Sequence, residues 1–386
     1  MLKERIHSID IVRGLIMIIM TLDHVRDFLH YPGPSPLNLK TTSVILFFTR
    51  WITHFCAPTF VLLAGVSASL AGQRRSKKQL REFLIKRGTW LILSDLLLIS
   101  LIFSLDLGYH VLVLEVLWAT GFGMIILALL LATPRWIIAA VGASILLGHN
   151  LLDQAPTDPQ SLASGLLTTF LTARGSVFPL GDHRMVVVLY SVLPWTSILL
   201  MGYVLGNLYH TGFNAQRRQK FLKFAGLTLI ALFIILRSVN LYGDPSPWSH
   251  QPTPSFTFLS FLNATKQPPS LLFMCMTLGP VLVLLSFAER LKGQVSKVCR
   301  IFGNVPYFYF ILHLCTIRVL NILLILKEGL PFKSNGDPLV WQAEGLGYPL
   351  WAVYLLWVFV VVTLYLPCRW YGKYKKTNGH WWLSYI

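Results

Sequence analysis

Arg13 and His24 lie eleven residues apart in the first long apolar run of the chain, which reads Ser8-Ile9-Asp10-Ile11-Val12-Arg13-Gly14-Leu15 and ends in Leu22-Asp23-His24-Val25-Arg26-Asp27. Eleven helical residues rise about 16 Å. A helix here would hold a guanidinium near one face of a bilayer and an Asp-His cluster toward the other. Ionisable groups are costly in lipid, so their presence points to function. The pattern suits an enzyme that holds an anionic donor at one level and does proton chemistry at the other. Asp23 and Asp27 are four apart and share a helix face, with His24 three residues before Asp27. A carboxylate that accepts from one imidazole nitrogen fixes the tautomer and raises the basicity of the other, which is how histidine serves as a general base. His24, Asp23 and Asp27 are therefore the candidate catalytic residues. Arg26 and His30 follow at the rim.

Other polar groups are expected at the same depth. Arg50 and His54 are four apart in Phe48-Thr49-Arg50-Trp51-Ile52-Thr53-His54-Phe55, and Pro58 should kink that helix. Arg50, His54, His30, Arg318 and Asn321 are candidates to bind substrate or to steady an oxyanion. Glu115 starts a later apolar run at this level, and Arg237 and Asn240 end another. His313 is read as a structural hydrogen-bonding group. Each of these residues also has a plainer reading, as an ion pair or an interhelical hydrogen bond. Toward the opposite face, Arg13, Lys86 and Arg87 are candidates to hold the phosphates of a nucleotide-type donor. The alternative is that Arg13 pairs with Asp10 or Asp95 and snorkels. Neither a Walker motif nor a dinucleotide-binding glycine fingerprint occurs. The five cysteines are scattered and read as small buried hydrophobes, no metal-ligand spacing is present, and no metal is expected.

The elements that must position these residues are membrane-spanning helices. The chain has 386 residues, 54% hydrophobic and 13% charged, with a mean hydropathy of +0.60, which excludes a soluble domain of this size. The fold expected is an all-α polytopic bundle of about ten transmembrane helices, over 9–29, 44–71, 88–103, 111–132, 136–152, 185–209, 224–241, 270–288, 301–326 and 349–371. The first run lacks a signal-peptide cleavage site and is read as the first span. With the N-terminus in the cytoplasm, Lys3, Arg5 and Arg135 and the segments 74–87, 217–223, 290–300 and 369–376 all fall inside, so every even-numbered connection is basic. The C-terminus is then cytoplasmic too. The net charge of +17 is thus explained by orientation and anionic lipid, not by nucleic acid. Residues 1–386 are expected to form a single domain. Its long outer loops, 153–184, 242–269 and 328–347, are expected to shape a binding site. Within the second, Trp248-Ser249-His250-Gln251-Pro252 has groups suited to a sugar, or forms an ordinary polar loop.

The stretch from Arg5 to His30 resembles bacterial relatives of the heparan-alpha-glucosaminide N-acetyltransferase catalytic domain. So do Phe47-Phe48-Thr49-Arg50-Trp51-Ile52-Thr53-His54-Phe55 with Leu63-Ala64-Gly65, Leu193-Pro194-Trp195 with Gly202-Tyr203, Gly303-Asn304-Val305-Pro306-Tyr307 with His313, and Cys368-Arg369-Trp370-Tyr371 with Trp381-Trp382-Leu383. The resemblance implies a transmembrane acyltransferase that takes an acetyl group from cytosolic acetyl-CoA and delivers it across the membrane. It implies an amine or hydroxyl acceptor on an amino sugar or envelope glycan, and residence in a bacterial cytoplasmic membrane. A homodimer is one oligomeric form to expect. The lysosomal members carry Asn at the position of His24 and place their active His further along. His24 is preferred here over His30, because it is deeper and flanked by two carboxylates. The competing class is a transporter or flippase for a polar or sugar-containing substrate, since a polar mid-depth cavity beside a broken helix would serve it as well.

Overall fold

The computed structural model describes residues 7–154, 162–172, 177–181, 183–337 and 340–384. Lys3, Arg5 and parts of the expected outer loops lie outside the described residues. The helices are α1 (His7–Leu29), α2 (Val44–Thr53), α3 (Cys56–Gly72), α4 (Lys77–Ser94), α5 (Ser100–Ser104), α6 (Val116–Leu130), α7 (Arg135–Gly148), α8 (Leu162–Leu167), α9 (Val192–Leu205), α10 (Ala215–Val239), α11 (Pro254–Leu262), α12 (Leu271–Ala288), α13 (Gln294–Gly303), α14 (Pro306–Glu328) and α15 (Leu350–Thr377). Three short strands, β1 (Val111–Leu114), β2 (Val177–Pro179) and β3 (Met185–Val188), form one small sheet in the order β1-β3-β2.

Among the described residues, eight helical stretches are long and apolar enough to cross a membrane: Val44–Gly72, Lys77–Ser104, Arg135–Leu152, Val192–Tyr209, Ala215–Val239, Leu271–Ala288, Pro306–Glu328 and Leu350–Thr377. The chain is a polytopic helical membrane protein. Two expected spans differ from these eight for separate reasons. Helix α1 has the length, 23 residues, but carries Asp10, Arg13, Asp23, Arg26 and Asp27. Helix α6 has 15 residues, about 23 Å of rise, which falls short of a hydrocarbon core of about 30 Å.

Helix α1 is the hub. It is buried on nearly every face and packs against α2, α3, α12, α13, α14 and α15. Two glycines make its closest contact. A Cβ on Gly14 would stand 1.8 Å from the Cys299 carbonyl oxygen, and one on Gly303 would stand 1.9 Å from that of Asp10. Only glycine lets the α1 and α13 backbones approach this closely. The α3–α9 contact works in the same way through Gly65 and Gly202.

Several boundaries differ from those read off hydropathy. The expected third span, 88–103, begins eleven residues earlier. Ser76 and Gln79 form a capping box that starts α4 at Lys77, so the basic segment 74–87 is mostly helix and Lys86 and Arg87 lie within it. A π-helical turn, Asp95–Ile99, joins α4 to α5. The second span is interrupted at His54–Phe55, four residues before Pro58, where the proline leaves a carbonyl without its helical N–H partner. The spans expected at 111–132 and 185–209 both open with strand, β1 and β3. These pair in parallel, with Val111 opposite Met185 and Leu114 opposite Val188. Hydropathy could not distinguish such short apolar strands from the ends of helices.

Candidate active site

The site is assembled on α1. His24 Nδ1 lies 2.7 Å from His313 Nε2 on α14, the two rings stacked with centroids 4.9 Å apart. His313 Nδ1 lies 3.1 Å from the Tyr309 carbonyl oxygen. That oxygen only accepts, so His313 Nδ1 carries a proton. A neutral His313 then accepts at Nε2, and His24 Nδ1 donates to it. The unprotonated nitrogen of His24 is therefore Nε2, which makes no hydrogen bond to a described residue. Phe103 and Phe310 pack edge-on against the His24 ring. The orienting partner of His24 is thus a second histidine. The expectation that Asp23 or Asp27 would orient it is corrected, and the hydrogen-bonding role expected of His313 is toward His24 and the Tyr309 carbonyl.

The carboxylates are occupied elsewhere. Arg26 donates to Asp23 Oδ1 at 2.8 Å and to Asp27 Oδ1 at 2.5 Å, while Arg50 from α2 pairs with Asp23 Oδ2. Asp23 is thereby clamped between two guanidinium groups, which compensates burial of all three charges and ties α2 to α1. Asp27 keeps about a third of its side chain exposed (34%).

His24, Asp23, Asp27 and Arg50 line one cavity of about 230 Å³. The small sheet delivers part of its wall. Strand β1 leads into Glu115, whose carboxylate accepts from the Val116 N–H, and β3 leads into Leu189 and Tyr190, whose amides bond the Leu114 carbonyl. Two expected outer loops also contribute, one through Lys266 and Gln267 and the other through Asp337, Val340 and Gln342. The Lys266 ammonium stands 5.4 Å from the centre of the Tyr190 ring. Burial, with the Arg50 charge nearby, pulls Lys266 below the usual lysine range. Lys266 and Tyr190 were not singled out from sequence. The available signal was a lysine in a connection that the charge bias assigns to the less basic side.

Four other candidates are not brought to this cavity. His54 is fully buried with its ring edge-on to Phe273, and neither nitrogen has a hydrogen-bond partner among the described residues. His30 bonds the Tyr348 carbonyl through Nδ1 at 2.9 Å. Arg318 donates to the carbonyls of Ile102, Phe103 and Trp341, and Asn321 donates to that of Phe28. Ile102, Phe103 and Phe28 lie in the last turns of α5 and α1, whose carbonyls have no N–H partner further along the helix, and Trp341 lies in the loop that packs there. In the segment Trp248-Ser249-His250-Gln251, the Trp248 indole donates to the Arg237 carbonyl at 2.8 Å, and none of the four lines this cavity.

A second cavity of about 220 Å³ lies along the same helices toward the start of α1. Arg13 is held in its wall by Ser67 Oγ at 2.8 Å and the Gly303 carbonyl at 3.1 Å, with Asp10 Oδ1 at 3.5 Å. Arg87 joins it from α4, next to Phe83, Leu84 and Leu91. These positions fall on one helical face. Lys86 is turned about 100° away and exposed, so it does not belong to the site. Asp95, the other suggested partner of Arg13, instead accepts from the Glu115 and Trp118 amides at the start of α6. The remaining wall is mostly apolar, with the hydroxyls of Thr120 and Tyr307 as its other polar groups.

No curated protein sequence gives a significant match to the chain. A profile of the catalytic domain of heparan-alpha-glucosaminide N-acetyltransferase matches residues 5–241, which include α1, both halves of the broken second span, and Glu115, Tyr190 and Arg87. The chain belongs to the heparan-alpha-glucosaminide N-acetyltransferase catalytic family, a family of transmembrane acetyltransferases.

Proposed function

We propose that the protein transfers an acetyl group from acetyl-CoA, bound in the Arg13 cavity, to the amine of an amino sugar or envelope glycan bound in the His24 cavity, with His24 as general base. The observation that carries this reading is the hydrogen-bonded pair His24–His313. It leaves a basic nitrogen beside a polar cavity that lies end to end with an apolar slot holding two arginines.

The chemistry follows from the groups present. Arg13 and Arg87 suit the phosphates of CoA, and the apolar slot suits its slender pantetheine arm. Asp27 and Glu115 favour entry of the acceptor as an ammonium. Once that ammonium has lost its first proton to solvent, the free amine attacks the thioester carbonyl. His24 Nε2 takes the second proton as the C–N bond forms, and Nδ1 stays bonded to His313 throughout. Arg50 and Lys266 are the cations available to the tetrahedral oxyanion. Collapse of the intermediate breaks the C–S bond, and the CoA thiolate leaves toward the Arg13 side, where it is protonated.

Orientation has its own support. The basic starts of α4 and α10, the basic end of α15 and the basic helix α13 all gather at the Arg13 end of the bundle. That charge bias supports a cytoplasmic position for the Arg13 end, where acetyl-CoA is available.

The test is acetyl transfer by purified protein. Acetyl-CoA is supplied with and without glucosamine or a glucosaminide, and free CoA and acetylated product are both measured. Acceptor-dependent release that His24→Ala abolishes supports the reading. Transport of the sugar without CoA release would replace it with the transporter reading.

A further inference from the structure

The two cavities share one lining residue among those described, Phe60 on α3. Four helices run from one cavity into the other. Helix α1 presents Arg13 to one and Met20 to the other; α6 presents Leu117 and then Val116; α14 presents Tyr307 and then Phe310. On α3 the lining positions recur every three or four residues, through Cys56 and Ala57 on one side of Phe60 and through Ala64, Ser67 and Ala68 on the other. Every other lining residue on this face is small. The Phe60 ring is the single bulky group along it, and its centroid is 6.4 Å from that of Phe310.

We propose that Phe60 is the partition between the donor and acceptor cavities: its ring seals the path until the acyl-bearing arm displaces it, and then keeps water from the thioester. This rests on the acetyltransfer reading and adds a residue that reading does not need. Two aqueous cavities joined through a bilayer would admit water and protons, so an unsealed path has two costs. One is hydrolysis: water attacks the thioester carbonyl, a C–O bond forms, the C–S bond breaks, and acetate and CoA leave with the proton balance met by water. The other is passive proton leak. A single aromatic ring stops both and can rotate aside, because its near neighbours on α3 are alanines. Phe60 would meet the arm directly and exchange no proton with it, so its role is that of a barrier in the path.

The experiment uses the full-length protein in proteoliposomes. Wild type, Phe60→Ala, Phe60→Leu and Phe60→Trp are compared for acetate formed from acetyl-CoA without acceptor, acetyl transfer to glucosamine, CoA binding, and proton leak across the vesicle reported by an enclosed pH dye. In Phe60→Ala, hydrolysis should rise about tenfold relative to transfer, with faster proton leak. Phe60→Trp should slow transfer about tenfold even at saturating acetyl-CoA, since a bulkier ring blocks passage between the cavities when the donor site is filled. If Phe60→Ala does not fold, Phe60→Leu should show the same trends at smaller size. Wild-type hydrolysis ratio and wild-type leak in a folded Ala or Leu variant would overturn the partition while leaving acetyl transfer standing. Proton leak through Phe60→Ala in a protein whose wild type transfers no acetyl would do the reverse, sustaining the partition and removing the reaction.

Discussion

The two cavities are similar in size and are bounded by some of the same helices, yet they are built on opposite principles. The Arg13 cavity is the face-to-face gap between regular helices: α3, α4 and α6 contribute residues that recur at three- or four-residue spacing, and α14 adds its first two, Pro306 and Tyr307. Its two arginines are anchored at the wall, Arg13 by Ser67 and by the Gly303 carbonyl. The His24 cavity depends on breaks in regular structure. It uses the interruption between α2 and α3, the ends of two strands and two loops. Charges occur there at closer range, and Asp23, Asp27, Arg26 and Arg50 hold one another. An apolar slot can be made by helix packing alone. A charged cavity in a bundle needs irregular backbone to bring counter-charges together.

That contrast can be tested by removing one group at a time. The largest effect is expected at the base. His24→Ala should reduce the acetyl-transfer rate by about 10³-fold or more, within the range of general-base contributions, while CoA binding at the other cavity stays within about twofold. Equal loss of CoA binding would mean that the cavities are not separate.

The charge clamp comes next, and its effect should be on stability. Asp23→Ala leaves Arg26 and Arg50 buried without their shared carboxylate, and removing one partner of a buried pair costs about 3–5 kcal/mol. A thermal-unfolding midpoint in detergent equal to wild type would show that the cluster is not a structural clamp.

A smaller, purely kinetic effect is expected at the orienting histidine. His313→Ala should lower the rate by about 10²-fold, the scale of a misplaced catalytic group. His313→Gln, whose side-chain oxygen can accept from His24 Nδ1, should recover part of that loss. Equal activity of the two variants would remove the tautomer argument. Last, Arg87→Ala should weaken CoA binding about tenfold, the worth of one charge-assisted hydrogen bond, whereas exposed Lys86→Ala should leave it within about twofold. Calorimetric titration with CoA would separate them.

The sequence by itself determined much of this protein. Its composition and basic connections specified a polytopic helical bundle, because lipid demands long apolar helices and the charge bias marks their ends. It also marked α1 as the candidate functional helix, since ionisable residues persist in a bilayer only at a cost, and it brought Asp23, His24, Asp27 and Arg50, which line one cavity, into view. What it could not supply was pairing. Residue spacing along one helix suggested that Asp23 or Asp27 would hold His24, but side chains on neighbouring helices compete for the same groups. Arg50 and Arg26 take the carboxylates, and His313, 289 positions away, takes the imidazole. His54, Arg318 and Asn321 are polar and at a suitable depth, yet the rotation of each helix about its axis turns them into packing or toward loop carbonyls. Lys266 and Tyr190 enter the site only because a loop and a strand end fold back on the bundle. Depth and chemical type are written along the chain. Facing and partnership come only from packing, because helix rotation and loop return are set by the summed contacts of all the elements at once.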